Sequence, residues 1–261
     1  MKFYKLRFDF CISYLIINPQ NNSCILVDPN LNHIDKYLNI IKEKQGILKA
    51  TIDTHTHCDH ISASTKLKEI FNCKFIMNEH TTCKEINRKV KNHEILNIDG
   101  IILKCIHTPG HTLDSMCIIF EDKLLTGDTL FLEDGAGRND VNTGNSDNHY
   151  NSLYKISKLP NHLIVCPAHD YSDSSPYSLY QLKKINPFLK LRNKSVFMKY
   201  SNKLAPPPKW MDEIFNINID PKNNNTNVSI PQSEEHLQCG YIKPCNTLAN
   251  FLKNKNQKEK G

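Results

Sequence analysis

The sequence predicts an α/β protein of layered sheets with helices on the outside. Two observations carry that expectation. Apolar, strand-like runs come as three hairpin pairs joined by short polar turns, with amphipathic helices interposed. In addition, four strands in succession end on residues of metal-ligand type, the position where α/β folds tend to put their chemistry.

The elements follow in order. Residues 2–9 alternate basic and apolar side chains, as an outer strand does. Residues 13–18 and 24–29 flank a polar turn and make a first hairpin. Residues 34–44 have helical spacing, with Ile34, Leu38 and Ile41 on one face. A short buried strand at 49–53 leads through a polar loop to a helix at 64–71, and 74–77 is another strand. Residues 94–98 and 101–106 pair across Asp99-Gly100, and 116–120 and 123–126 pair across Glu121-Asp122. After a Gly- and Asn-rich loop come a helix at 150–158, a buried strand at 163–166 and a helix at 179–185.

A chain of 261 residues fits one large or two modest domains. Its formal charge of +6 suits an anionic substrate. No basic block with interleaved aromatics is present, which argues against nucleic acid. The 10 Cys have no CxxC pair and no regular spacing, so buried or free thiols are expected rather than a disulfide framework. No segment has the length and apolarity of a membrane span, and residues 1–4 run straight into strand-like sequence without a signal-peptide pattern. The expected location is cytoplasmic by default, with a mitochondrial or other organellar address left open.

The chemistry concentrates in Thr54-His55-Thr56-His57-Cys58-Asp59-His60. In extended chain, side chains at i and i+2 point the same way, so His55, His57 and Asp59 can converge on one point. His60 can turn in as the next helix begins. Imidazoles and carboxylates suit zinc, iron or manganese. His107-Thr108-Pro109-Gly110-His111 follows a strand, and its Pro-Gly turn presents His111; His107 alone reads as a packed or surface residue. Asp128 emerges at a strand end after Gly127, and His169 after the strand at 163–166.

Taken together, His-x-His-x-Asp-His, a Gly-His, a Gly-Asp and a histidine after a strand resemble the metallo-β-lactamase superfamily. The resemblance implies a four-layer αβ/βα sandwich with two mixed β-sheets. A finer resemblance is to persulfide dioxygenases, the family of the ethylmalonic encephalopathy protein, which are relatives of glyoxalase II. It is carried by Gly127-Asp128-Thr129-Leu130-Phe131, Gly135-Ala136-Gly137-Arg138-Asn139-Asp140, Pro167-Ala168-His169-Asp170-Tyr171, Asn186-Pro187-Phe188-Leu189, the proline segment 204–209 and Cys239-Gly240.

That resemblance implies one Fe(II) per chain held by His55, His111 and Asp128. His57, Asp59, His60 and His169 would orient ligands or hold a second metal. Arg138, Asp140 and Tyr171 would contact substrate. The implied reaction converts glutathione persulfide, or another small persulfide, and O2 to sulfite and glutathione, in a family whose members are often homodimers. Ala136 replaces a Cys and Phe188 replaces an Arg of the family pattern, so Arg192, or Lys190, is a stand-in candidate for substrate binding. The domain expectation is a catalytic unit over 1–200 and a proline- and asparagine-rich extension over 201–261, partly disordered, with a polar insertion at 220–233.

The rival reading is a glyoxalase II-like hydroxyacylglutathione hydrolase. It would place Zn(II) or a mixed metal pair on the same residues, with His55, His57 and His111 holding one ion, Asp59, His60 and His169 the other, and Asp128 bridging. A non-catalytic binding scaffold is the third reading; all seven candidate positions being filled weighs against it.

Overall fold

The computed structural model describes residues 1–224 except Asp9, Asp134, 172–175, Arg192, 202–205 and the side chain of Tyr200. Arg192, Cys239-Gly240 and most of the 220–233 segment lie outside the described residues.

The strands are β1 (Lys2–Phe8), β2 (Cys11–Ile17), β3 (Ser23–Val27), β4 (Ile47–Ile52), β5 (Lys74–Asn78), β6 (Arg88–Val90), β7 (Ile95–Ile98), β8 (Ile101–His107), β9 (Met116–Phe120), β10 (Lys123–Gly127) and β11 (Ile164–Pro167). The helices are α1 (Ile34–Glu43), α2 (Ser64–Phe71), α3 (Ser146–Ser157), α4 (Leu179–Ile185), α5 (Pro187–Lys190), α6 (Lys194–Ser201) and α7 (Lys209–Ile219). One sheet runs β1-β2-β3-β4-β5-β6, antiparallel up to β3 and parallel beyond it. The other runs β11-β10-β9-β8-β7, with its one parallel pair at β10 and β11. Both sheets are therefore mixed.

Strand periodicity sorts the side chains into layers. In β2 and β3, Ile12, Tyr14, Ile16, Ile25 and Val27 face the other sheet, where they meet Leu103, Cys105, Met116, Ile118 and Leu125. The alternate residues Leu15, Ile17, Cys24 and Leu26 face outward onto Tyr37 and Ile41 of α1 and Leu67 of α2. Beneath the second sheet, Leu124 and Val165 pack on Leu153 and Ile156 of α3, Leu182 of α4 and Phe197 of α6. The result is helix, sheet, sheet, helix: the expected four-layer sandwich.

The three expected hairpins form. The β7–β8 turn has Ile98 opposite Ile101, with Asp99 at φ 49° and Gly100 at φ 90°. That left-handed pair matches the twist of the flanking strands. Helix α3 starts four residues before the expected 150. Asn145 caps it by accepting from the Asn148 N–H, and Asp147 complements the dipole of its first turn. Helix α7 lies beyond the boundary at 200 suggested by composition. Met211 and Phe215 pack on Cys58, and Ile214 and Ile217 pack on Ile61, so this helix leans on the histidine loop.

Asn186 shows how a distant motif serves the site. Fully buried, its Nδ2 donates to the carbonyls of Phe131, Leu132 and Gly135 at 3.2, 2.6 and 2.9 Å. Its Oδ1 accepts from the N–H groups of Phe188 and Leu189, capping α5. The loop after Asp128 is thereby pinned to the helical layer. Asn186→Ala would strand these groups in the interior. Urea denaturation is expected to show a loss of about 3 kcal/mol.

Candidate metal centre

All four motif segments arrive at one edge of the sandwich, each as the continuation of a strand. The histidine loop follows β4, His111 follows β8, Asp128 follows β10 and His169 follows β11. His55, His57, Asp59, His60, His111, Asp128 and His169 are all buried. Ring centroids of His55 and His57 lie 4.2 Å apart, those of His55 and His111 4.8 Å, and those of His57 and His60 4.2 Å.

Each imidazole has one nitrogen committed to the protein, and the partners assign the tautomer. The Thr54 hydroxyl donates to the Asp28 carboxylate, so it accepts from His55 Nδ1 at 2.9 Å. Asp28 Oδ1 accepts from His57 Nε2 at 3.2 Å. Asp59 Oδ2 accepts from His60 Nδ1 at 2.8 Å. The Arg138 carbonyl accepts from His111 Nδ1 at 2.5 Å, and the Phe10 carbonyl from His169 Nδ1 at 3.0 Å. Five lone pairs are left over: His55 Nε2, His57 Nδ1, His60 Nε2, His111 Nε2 and His169 Nε2. Among the described residues these five buried nitrogens, with Asp59 Oδ1 and Asp128 Oδ1, have no hydrogen-bond partner. Buried polar atoms left in this way are costly unless something else satisfies them. One buried donor set of five imidazole nitrogens and two carboxylates fits a metal centre.

The geometry has two halves. Asp128 Oδ2 lies 3.6 Å from His111 Nε2 and 4.0 Å from His55 Nε2, while Oδ1 lies 3.6 Å from His169 Nε2. The carboxylate thus turns one oxygen to each side. Donors on one ion with bonds near 2.0–2.1 Å stand roughly 3–3.5 Å apart, so these spacings need only small adjustment. His55, His111 and Asp128 form a group whose ligand atoms all lie within 4.8 Å of one another, and so do His55, His57 and Asp59. On the other side, His169 Nε2 sits 3.1 Å from Asp59 Oδ2. With Nδ1 carrying its proton to Phe10, this contact sets lone pair against lone pair; a proton or a cation between them makes it attractive.

Electrostatics set His55 apart from the histidines next to the carboxylates of Asp28 and Asp59. Burial, reinforced by His57 and His111, pushes His55 well below its ordinary value and keeps it neutral. Burial also opposes charge on His57, but its hydrogen bond to Asp28 and the nearby Asp59 carboxylate, 3.7 Å from Nδ1, raise it well above 6.5. Burial works against charge on His60 too, yet Asp59 raises it to about 9. For Asp59, burial is outweighed by His60 and His169, which hold its carboxyl well below the usual range. Cys11 borders this second half, its Sγ 3.7 Å from Asp59 Oδ2. Burial pushes the thiol up, but His169 and His60 bring it down to about 7.

Several residues that hold the centre carry no signal in the sequence reading. The Asp28 carboxylate takes the Thr54 N–H at 2.7 Å as well as the groups above. Asp114 ties two ligand loops together, accepting from the Thr56 hydroxyl at 2.6 Å and the Thr112 hydroxyl at 2.7 Å. Asn218 of α7 donates to the carbonyls of His57 and His60 at 2.9 and 2.8 Å and accepts from the Ser62 N–H. His149 is fixed by the Thr129 carbonyl and the Asn139 side chain, and Gly110 lies against it so closely that a Cβ would meet its Cα at 2.2 Å. Gly127, at φ 50°, likewise leaves room for Thr54; a Cβ there would meet the Thr54 hydroxyl at 2.4 Å.

The substrate candidates are placed as follows. Arg138 is half-buried and forms a two-bond pair with Asp140, at 2.7 and 2.9 Å. The Tyr171 ring stacks on His169 at 5.7 Å and 6°. Phe188 is buried against Phe197 in the outer helical layer. His107 bonds the Leu113 carbonyl and stacks on His80, away from the ligand cluster.

Fold and donor set define a metal-centre protein, and comparison with known proteins gives the family. Residues 6–169 match the metallo-beta-lactamase superfamily, and the chain belongs to it. Its members are mostly metal-dependent enzymes, dioxygenases or hydrolases among them. The chain is 28% identical over 193 residues (72% of the chain, 85% of the relative) to the probable polyketide biosynthesis zinc-dependent hydrolase PksB of Bacillus subtilis. It is 30% identical over 212 residues to the hydroxyacylglutathione hydrolase of Pelagibacter ubique, covering 79% of the chain and 86% of the relative. To the mitochondrial persulfide dioxygenase ETHE1 of Bos taurus it is 27% identical over 205 residues, 77% and 80% respectively. The crystal structure of ETHE1 from Myxococcus xanthus superposes with a TM-score of 0.79 at 30% identity, covering 84% of this chain and 98% of that one. Among the described residues no helix is long and apolar enough to cross a membrane.

Removing the Asp28 carboxylate or the Asn218 amide should loosen the ligand loop without touching a ligand. Asp28→Ala and Asn218→Ala are each expected to weaken metal binding by about 10- to 100-fold, measured by competition with a chelator.

Proposed function

We propose that the chain is a persulfide dioxygenase: it oxidises glutathione persulfide, or a similar small persulfide, with O2 to sulfite and the free thiol, water supplying the third oxygen. His55, His111 and Asp128 would hold one Fe(II), two imidazoles and a carboxylate forming a facial set. When bound, Fe(II) supplies open coordination positions and the redox chemistry that O2 requires.

The observation that carries this reading is the seating of the 135–140 loop. The Arg138 carbonyl fixes His111, so the segment resembling a glutathione contact lies at the rim of the ligand cluster. Likeness to the Myxococcus xanthus protein over 98% of that chain supports it. Arg138 would bind a carboxylate of the thiol carrier, exchanging or sharing its pair with Asp140. Tyr171, stacked on His169, would line the same approach. His57, Asp59, His60 and His169 would orient the bound groups or hold a second ion beside the iron.

One observation favours a second reading. The two oxygens of Asp128 face opposite halves, each with histidine donors, as a binuclear thioester hydrolase of the hydroxyacylglutathione type would need.

Oxygen uptake with glutathione persulfide, run beside hydrolysis of S-lactoylglutathione, separates the two. Uptake of O2 with about one iron per chain is expected; two bound zincs with thioesterase activity alone would overturn the dioxygenase. Asp128→Ala should abolish metal binding and turnover together. Arg138→Ala should raise KM about tenfold or more with iron retained; an emptied metal site in that variant would overturn its substrate role.

A further inference from the structure

Cys11 stands apart from the other cysteines. Of the eight that are described, it alone is half-buried while the rest are buried, and its thiol faces polar groups, Asp59 and Asn30. Its place is set by backbone. Cys11 and His169 form a bridge between β2 and the segment after β11, supported by the Ile12 N–H bond to the Ala168 carbonyl at 2.8 Å. The neighbouring Phe10 carbonyl holds His169 Nδ1. Any chain with this register puts the residue at 11 opposite His169.

The sulfur lies beside the second half of the centre. Cys11 Sγ, a carboxylate oxygen of Asp59 and a ring nitrogen of His60 all lie within 4.8 Å of one another. Asn30 Nδ2 approaches the sulfur at 3.8 Å as a donor. His60 Nε2, His169 Nε2 and Asp59 Oδ1 are buried and have no hydrogen-bond partner among the described residues. A sulfur at about 2.3 Å and a nitrogen or oxygen at about 2.0 Å from one tetrahedral ion are roughly 3.5 Å apart, close to the 3.7 Å between Cys11 Sγ and Asp59 Oδ2.

We propose that Cys11 is a thiolate ligand of the second half of the centre, which with Asp59, His60 and His169 makes that half a site for a thiophilic divalent metal such as zinc. The ion replaces the thiol proton, which is released to solvent, and no electron is transferred. A mixed N, O and S donor set suits zinc better than the purely imidazole and carboxylate set around His55 and His111. The two halves would therefore differ in metal preference. The inference rests on the metal-centre reading, but not on which reaction the centre runs.

The test uses the full chain freed of metal and titrated with Co(II). The second equivalent should bring a sulfur-to-cobalt charge-transfer band in the near ultraviolet. Cys11→Ser should keep the first equivalent, which also shows that it folds, lose the band and bind the second about tenfold or more weakly. Cys11→Asp should recover second-site binding without the band. In the wild-type chain, zinc should protect Cys11 from alkylation, read by mass spectrometry. A wild-type chain that binds two cobalt ions without the band, a band that survives Cys11→Ser, or alkylation of Cys11 unaffected by zinc would each overturn the assignment. Failure to bind any metal would sink the proposed function along with it.

Discussion

The Asp28 carboxylate is the constraint on which the metal centre depends. It is buried at the end of β3, and a buried charge is costly unless it is hydrogen-bonded. Its donors are the Thr54 N–H, the Thr54 hydroxyl and His57 Nε2. Satisfying it draws the start of the histidine loop onto β3 and sets two ring tautomers, directly for His57 and through Thr54 for His55. The Thr54 carbonyl then receives the Met116 N–H at 2.8 Å, tying the loop to the second sheet. Gly127 has to lack a side chain for Thr54 to sit there. A single carboxylate thus couples both sheets to the orientation of the ligands.

The centre is built with two faces, and its donor set does not choose a reaction. Seven donor residues, Asp128 among them, suit one ion or two. What borders them is the 135–140 loop, fixed by Asn186 on one side and by His111 on the other, and the Cys11 sulfur at the far edge. In the proposed reading the loop would set substrate affinity and Cys11 the metal preference of the second half, with His55, His111 and Asp128 common to both.

Helix α7 gives the tail a structural task. Its apolar face covers Cys58 and Ile61, and Asn218 takes the carbonyls of His57 and His60, which the sharply turning loop cannot pair within itself. Ligand geometry in the N-terminal half therefore depends on a segment more than 150 residues away.

Much of the fold is legible in local pattern. The hairpins at 98–101 and 120–123 follow from period-two apolar runs broken by residues that tolerate positive φ. Helix α3 begins early because its first turn is polar and its start is written only in the Asn145 cap. Helix α7 has little local signature, and its helical form is supported by packing on the loop.

The sequence by itself determined the candidate ligands, since His55, His57, Asp59, His60, His111, Asp128 and His169 each sit at a strand end where the chain must leave the sheet. It also carried the family. Only the tertiary structure decided which nitrogen of each ring is free, which half of the centre each oxygen of Asp128 faces, and that Asp28, Asp114, Asn218 and Cys11 belong to the same neighbourhood. Those facts depend on contacts between residues far apart in sequence, and nothing local to an aspartate, an asparagine or a cysteine announces its partner across the fold.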